Sequence, residues 1–176
     1  FAKLCTSHPS IIGGVMHTQT EGMPFLGMRV SRNLEALRAA VPELDSVWYF
    51  ENLPGVTETE AGFREYLTRF DIKQVTVDMS HWLAYNSLAS LEAYLAEREQ
   101  AGLATYVHIS DHNELDRKPV PRNMGAGSVA WEVLVPRIEF GCIETLSSPE
   151  KLGREMKKDY LQYMEYTTGA RTRSFY

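Results

Sequence analysis

The stretch TYVHISDHNELDRKPVPRNMGAG, residues 105–127, decides how the chain is read. It opens as a short strand of β-branched and aromatic residues that brings His108 to its end. Asp111, His112, Glu114, Asp116 and Arg117 then crowd into a loop, and a Gly-Ala-Gly turn closes it ahead of the apolar run at 129–138. A polar site beyond the C-terminal end of a strand is the arrangement of parallel α/β proteins, whose strand ends and adjoining loops build one shared rim.

Working outward from this stretch, apolar residues recur at helical spacing at 30–40 (VSRNLEALRAA), 58–70, 87–100 and 149–166. Thr57 or Thr59 can cap the second of these, Ser87 or Ser90 the third, and Ser148-Pro149 puts proline in the first turn of the last. The run 129–138 predicts a shorter helix that Pro136 kinks or ends. Between the helices lie strand-like runs at 2–7, 46–50, 74–77, 104–109 and 139–143. Strands alternating with helices imply parallel βαβ units with right-handed crossovers, so the fold class is α/β. Residues 9–28, with Gly13-Gly14, His17, Gly22 and Pro24, read as a long loop.

The length of 176 residues suits a single domain with a real core, spanning 1–176, and no stretch suggests a membrane span. A net charge of -5 lacks the basic footprint of phosphate-backbone binding, which disfavours nucleic acid as a partner. Two cysteines, Cys5 and Cys142, do not make a disulfide framework or a zinc ribbon, so a reducing, cytoplasmic location is expected. No leader pattern opens the chain, and Phe1 stands where an initiator Met belongs, which points to a processed or longer parent chain.

Side chains alternate faces along a strand. On that basis His8 shares a face with Thr6, Glu51 with Tyr49, Asp78 with Thr76, His108 with Tyr106 and Glu144 with Cys142. The opposite face carries Trp48, Phe50, Val75, Val77, Val107 and Ile143, apolar enough to pack under helices. Five successive strands thus end in His, Glu, Asp, His and Glu. Any one of these can be an ordinary turn residue, but together they form an oxygen and nitrogen donor set suited to Mn, Mg, Co or Zn. Gathering carboxylates without a cation is costly. His8 is a candidate additional ligand that reads equally as a strand-ending turn residue, and His17 reads as a loop residue. His112 is expected to face solvent, Asp71, Glu92, Glu97 and Glu99 to be solvated charges, and Tyr160, Tyr163 and Tyr166 to serve helix packing or a subunit contact.

The motifs ENLPG (51–55), VDMSHW (77–82), YVHISD (106–111), MGAGSVAW (124–131) and FGCIETL (140–146), in this order and spacing, resemble the xylose isomerase-like TIM-barrel superfamily. That superfamily includes sugar isomerases and epimerases, inosose dehydratases and apurinic-site endonucleases. The resemblance implies a (β/α)8 TIM barrel represented here by strands four to eight. From the epimerase branch it implies one divalent cation, Mn first with Mg, Co or Zn as alternatives, held by Glu51, Asp78, His108 and Glu144. Glu51 and Glu144 would also be the acid/base pair of an enediolate mechanism on a ketose or cyclitol. His81 and Arg117, with Arg122 as the second arginine, would contact the substrate.

Two departures from the pattern carry weight. In the endonuclease branch an Asp-Arg-His element supplies a further zinc ligand, whereas Lys118 follows Asp116-Arg117 here. That substitution and the acidic charge favour the isomerase/epimerase reading over a zinc-dependent apurinic-site phosphodiesterase or a non-catalytic binding subunit. Five strands also cannot close a barrel, so the three missing strands are expected from a longer native chain or a partner chain, and a homo-oligomer is a further arrangement.

Overall fold

A computed structural model of the chain describes residues 14–17, 38–39, 48–53, 55, 57–113, 118–144 and 149–168. The chain divides into two compact units, Phe1–Thr76 and Val77–Tyr176. The division falls inside one strand, Val75–Asp78.

The first unit contains β1 (Gly14–His17), β2 (Trp48–Glu51) and the first half of β3 (Val75–Asp78). β1 runs parallel to β2, with His17 opposite Glu51, and β2 runs parallel to β3, with Glu51 opposite Thr76. Between β2 and β3 lies α1 (Glu60–Arg69), whose N-cap Thr59 accepts from the Gly62 N–H at 3.1 Å. Phe63, Tyr66 and Leu67 recur at three- and four-residue spacing and form its buried stripe. The expected strand at 2–7 lies outside the described residues, as does nearly all of the expected helix at 30–40. β1 itself is a correction, because it stands inside the segment 9–28 that reads as a loop.

The second unit continues β3 into α2 (Met79–Tyr85), then α3 (Leu88–Gln100), β4 (Thr105–Ile109), α4 (Trp131–Leu134), β5 (Phe140–Ile143) and α5 (Pro149–Thr167). α2 is an addition to the expected elements; it starts directly on Asp78, with no loop after the strand. Trp82 of α2 donates from Nε1 to Ser90 Oγ at 3.0 Å and lies with its ring 4.8 Å from that of Tyr94, which joins α2 to α3. Ser87 caps α3 by accepting from the Ser90 N–H. The expected helix at 129–138 is reduced to α4 and a 3-10 turn at Val135–Arg137, because Pro136 has no N–H to continue the α pattern.

β4 and β5 are parallel, with His108 opposite Cys142 and Ile109 opposite Ile143. Consecutive parallel neighbours joined by helices are the repeat of an α/β barrel. Val75, Val77, Val107 and Ile109 are buried as a set, so the apolar half of each strand is core and the alternate residues carry the polar groups.

Candidate metal centre

Asp78 has two tasks. Its Oδ1 accepts from the His81 N–H at 2.9 Å and from the Ser80 hydroxyl at 2.7 Å, which starts α2 and fixes the carboxylate. Oδ2 is thereby directed at two imidazoles, 3.9 Å from His81 Nδ1 and 3.7 Å from His108 Nδ1. Burial works to raise the Asp78 carboxyl. The hydrogen bond with His108, the charge of His81 and the bonds from the His81 N–H and Ser80 outweigh it, so the net shift is downward and the ionised form is favoured.

His108 is the penultimate residue of β4, and its Nδ1 stands 2.7 Å from Glu144 Oε2. Glu144 directly follows β5, and its N–H donates to the Ile109 carbonyl at 2.9 Å, which continues the β4–β5 ladder by one residue. The Glu144 side chain is 50% exposed, whereas Asp78 is buried. Glu51 ends β2 and is 2% exposed. Within the second unit, Asp78, His108 and Glu144 thus bring two carboxylates and an imidazole together at the strand ends. Carboxylate and imidazole donors fit a divalent cation by their chemistry. One row below the ligands, Tyr106 sets its ring edge-on to His108 at 5.9 Å, and burial followed by the neighbouring Cys142 thiol pushes its phenol up.

His8 and Arg117 lie outside the described residues. Arg122 is described, and its backbone exchanges hydrogen bonds with Asp111 at 2.9 and 3.0 Å in an antiparallel bridge. His17 ends β1 in register with Glu51, at a strand end and not in a loop. His112 is a second correction, being buried where the sequence suggests solvent exposure. The loop folds back over it: Ser128 N–H donates to the His112 carbonyl at 2.8 Å, and Gly127 passes so close that a Cβ there would strike that carbonyl.

Asp111 organises this loop in a way that sequence reasoning misses. Its Oδ1 accepts from the N–H groups of His112 at 2.8 Å and Val129 at 3.2 Å. Its Oδ2 accepts from the Gly125 N–H at 2.7 Å and Trp131 Nε1 at 3.2 Å. A second buried carboxylate, Asp159 on α5, accepts from Asn123 Nδ2 and from the Met124 N–H. Only the aspartate directly after a strand and the glycines downstream could signal this in the sequence.

Parallel strands with acidic and imidazole groups at their C-terminal ends are the rim arrangement of α/β barrels. No family profile matches the chain, and no curated protein matches it in sequence. Among solved structures, a D-tagatose 3-epimerase-like protein is similar with a TM-score of 0.61 at 18% identity, over 92% of this chain and 64% of that one. The apo form of 3-keto-D-glucoside 4-epimerase from E. coli is similar with a TM-score of 0.55 at 17% identity, over 85% of this chain and 62% of that one. Over most of its length the chain has the α/β-barrel fold of these two structures, and it spans less than two thirds of the length of either. No helix among the described residues is long and apolar enough to cross a membrane.

Proposed function

We propose that the chain is the C-terminal five-stranded part of a divalent-metal-dependent sugar isomerase or epimerase acting on a ketose or cyclitol. His108, with Nδ1 3.7 Å from Asp78 Oδ2 and 2.7 Å from Glu144 Oε2, carries this reading, and Glu51 at the end of β2 would complete the donor set. Mn, or Mg, Co or Zn in its place, would polarise the carbonyl and stabilise charge developing on its oxygen. The chain's own residues do the rest. Glu51 and Glu144 would be the acid/base pair, one removing the proton beside the carbonyl and the other returning it to the opposite face of the enediolate. The half-exposed Glu144 can meet substrate from solvent, while Glu51 is buried at the end of β2. His81, tied to Asp78 at the start of α2, holds a substrate oxygen, and Arg117 or Arg122 supplies a positive anchor from the loop after β4.

The test is turnover of D-tagatose and other ketohexoses with Mn2+ in D2O. Deuterium is expected at the epimerised carbon, and turnover without it sinks the proton-transfer mechanism. A Glu144→Gln variant should lose about 10²- to 10⁴-fold in kcat; unchanged activity removes Glu144 from the chemistry. We also propose one domain over 1–176, completed by strands from a longer native chain or a partner chain.

A further inference from the structure

Ser110 lies two residues beyond His108, at the point where β4 gives way to its loop. The register places Ile109 opposite Ile143, and the Glu144 N–H to Ile109 carbonyl bond extends the ladder. Ser110 is therefore the neighbour of Glu144 across the strands, one row above the His108 and Cys142 pair. Residues paired in a parallel ladder share a face. Ile109 goes to the core and Ser110 to the face that carries His108. Ser110 is 1% exposed, and its hydroxyl has no hydrogen-bond partner among the described residues. A hydroxyl offers one donor and two acceptor positions, and a protein interior seldom leaves all three unused. The loop directly beyond shows the contrast, since the adjacent Asp111 has both oxygens doubly bonded to N–H donors.

We infer that Ser110 is a substrate-binding residue, whose hydroxyl holds a sugar oxygen beside Glu144 and presents the neighbouring carbon to that carboxylate. The inference rests on the epimerase reading. Ser110 sits beside Glu144, one row beyond His108 on the face that carries the candidate ligands. A hydroxyl there suits a sugar hydroxyl, because each can donate to or accept from the other.

The test is Ser110→Ala, with Ser128→Ala as control, because the Ser128 hydroxyl donates to the His112 carbonyl in the outer loop. With Mn2+ and D-tagatose, Ser110→Ala should raise KM by about five- to tenfold, the range of one lost hydrogen bond, and change kcat by less than about threefold. Its thermal midpoint should stay the same or rise, since the fold loses no bond. Ser128→Ala should leave KM unchanged. An unchanged KM in Ser110→Ala overturns the inference while leaving the epimerase reading intact. A lowered thermal midpoint with unchanged KM shows instead a hydroxyl serving the fold through an internal water, and overturns it also. A completed barrel, with its remaining strands supplied, that turns over neither a ketohexose nor a cyclitol removes the epimerase reading, and this inference with it.

Discussion

Asp78 and Asp111 are both aspartates, both buried, and both stand at the C-terminal end of a parallel strand, yet their oxygens are used in opposite ways. Asp111 has four lone-pair positions and four N–H donors on them, three from backbone and one from Trp131. Asp78 gives Oδ1 to the first turn of α2 and turns Oδ2 toward His81 and His108. A carboxylate enclosed by amide donors is a construction element. One aimed at two imidazoles is a candidate binding element. Residue type and burial are the same in both, so the distinction lies in which atoms fill the acceptor sites.

The largest effect that tests this contrast is expected at Asp111. Asp111→Ala strands Trp131 Nε1 and three backbone N–H groups in a closed loop, at a cost of about 1–3 kcal/mol for each donor that finds no water. Urea unfolding should show a loss of at least about 3 kcal/mol. A loss below about 1 kcal/mol, the value of a single exposed bond, would place the loop's stability elsewhere.

Next in size is the response to cation. A ligand that binds only the folded state adds about 2.7 kcal/mol at one hundred times its dissociation constant. Mn2+ should therefore raise the thermal midpoint of the wild-type protein, EDTA should reverse the rise, and His108→Ala should abolish it. The same rise in Asp111→Asn, measured from that variant's lower starting point, would show the two regions acting independently. A rise that survives His108→Ala would remove His108 from the ligand set.

How much of this is legible in the sequence depends on the kind of contact behind each feature. β2 to β5 can be read because Trp48, Phe50, Val75, Val77, Val107 and Ile143 give alternating runs that end in polar residues, and that pattern is local. β1 cannot, since Gly-Val-Met-His is four residues long with one β-branched member, set among glycines. α2 escapes because seven residues are too few to show helical periodicity, and its start signal, Asp78, reads equally as a ligand. The burial of His112 and the bonds of Asp111 depend on Gly125, Gly127, Val129 and Trp131, up to 20 residues downstream. Nothing in the charged run HNELDRK indicates that a later segment will close over its first residue.

A smaller effect is expected at Gly127. A Cβ there would meet the His112 carbonyl and Asp111 Oδ1, backbone and a fully bonded carboxylate, neither able to swing away. Gly127→Ala should therefore cost about 1–3 kcal/mol, as overpacking does, with Mn2+ affinity unchanged. Weakened Mn2+ binding in this variant would mean that the loop and the centre are coupled.

The smallest effect on stability is expected at Asp78, and it is the sharpest test of the contrast. Asparagine caps a helix about as well as aspartate, so Asp78→Asn keeps an oxygen on the His81 N–H and preserves the start of α2. The amide that replaces Oδ2 faces His81 Nδ1, which can accept from it when neutral. At pH 8 without added cation, the change in unfolding free energy should stay below about 1 kcal/mol. In the presence of Mn2+ the same variant should lose most of the wild-type gain, because an amide oxygen is a weaker partner for a divalent cation than a carboxylate. Two buried aspartates would then separate cleanly, one whose removal is felt with or without metal and one whose replacement is felt only with it. A large loss without cation would mean that Asp78, like Asp111, is held for the fold, and that the lowered carboxyl next to His108 is a structural ion pair.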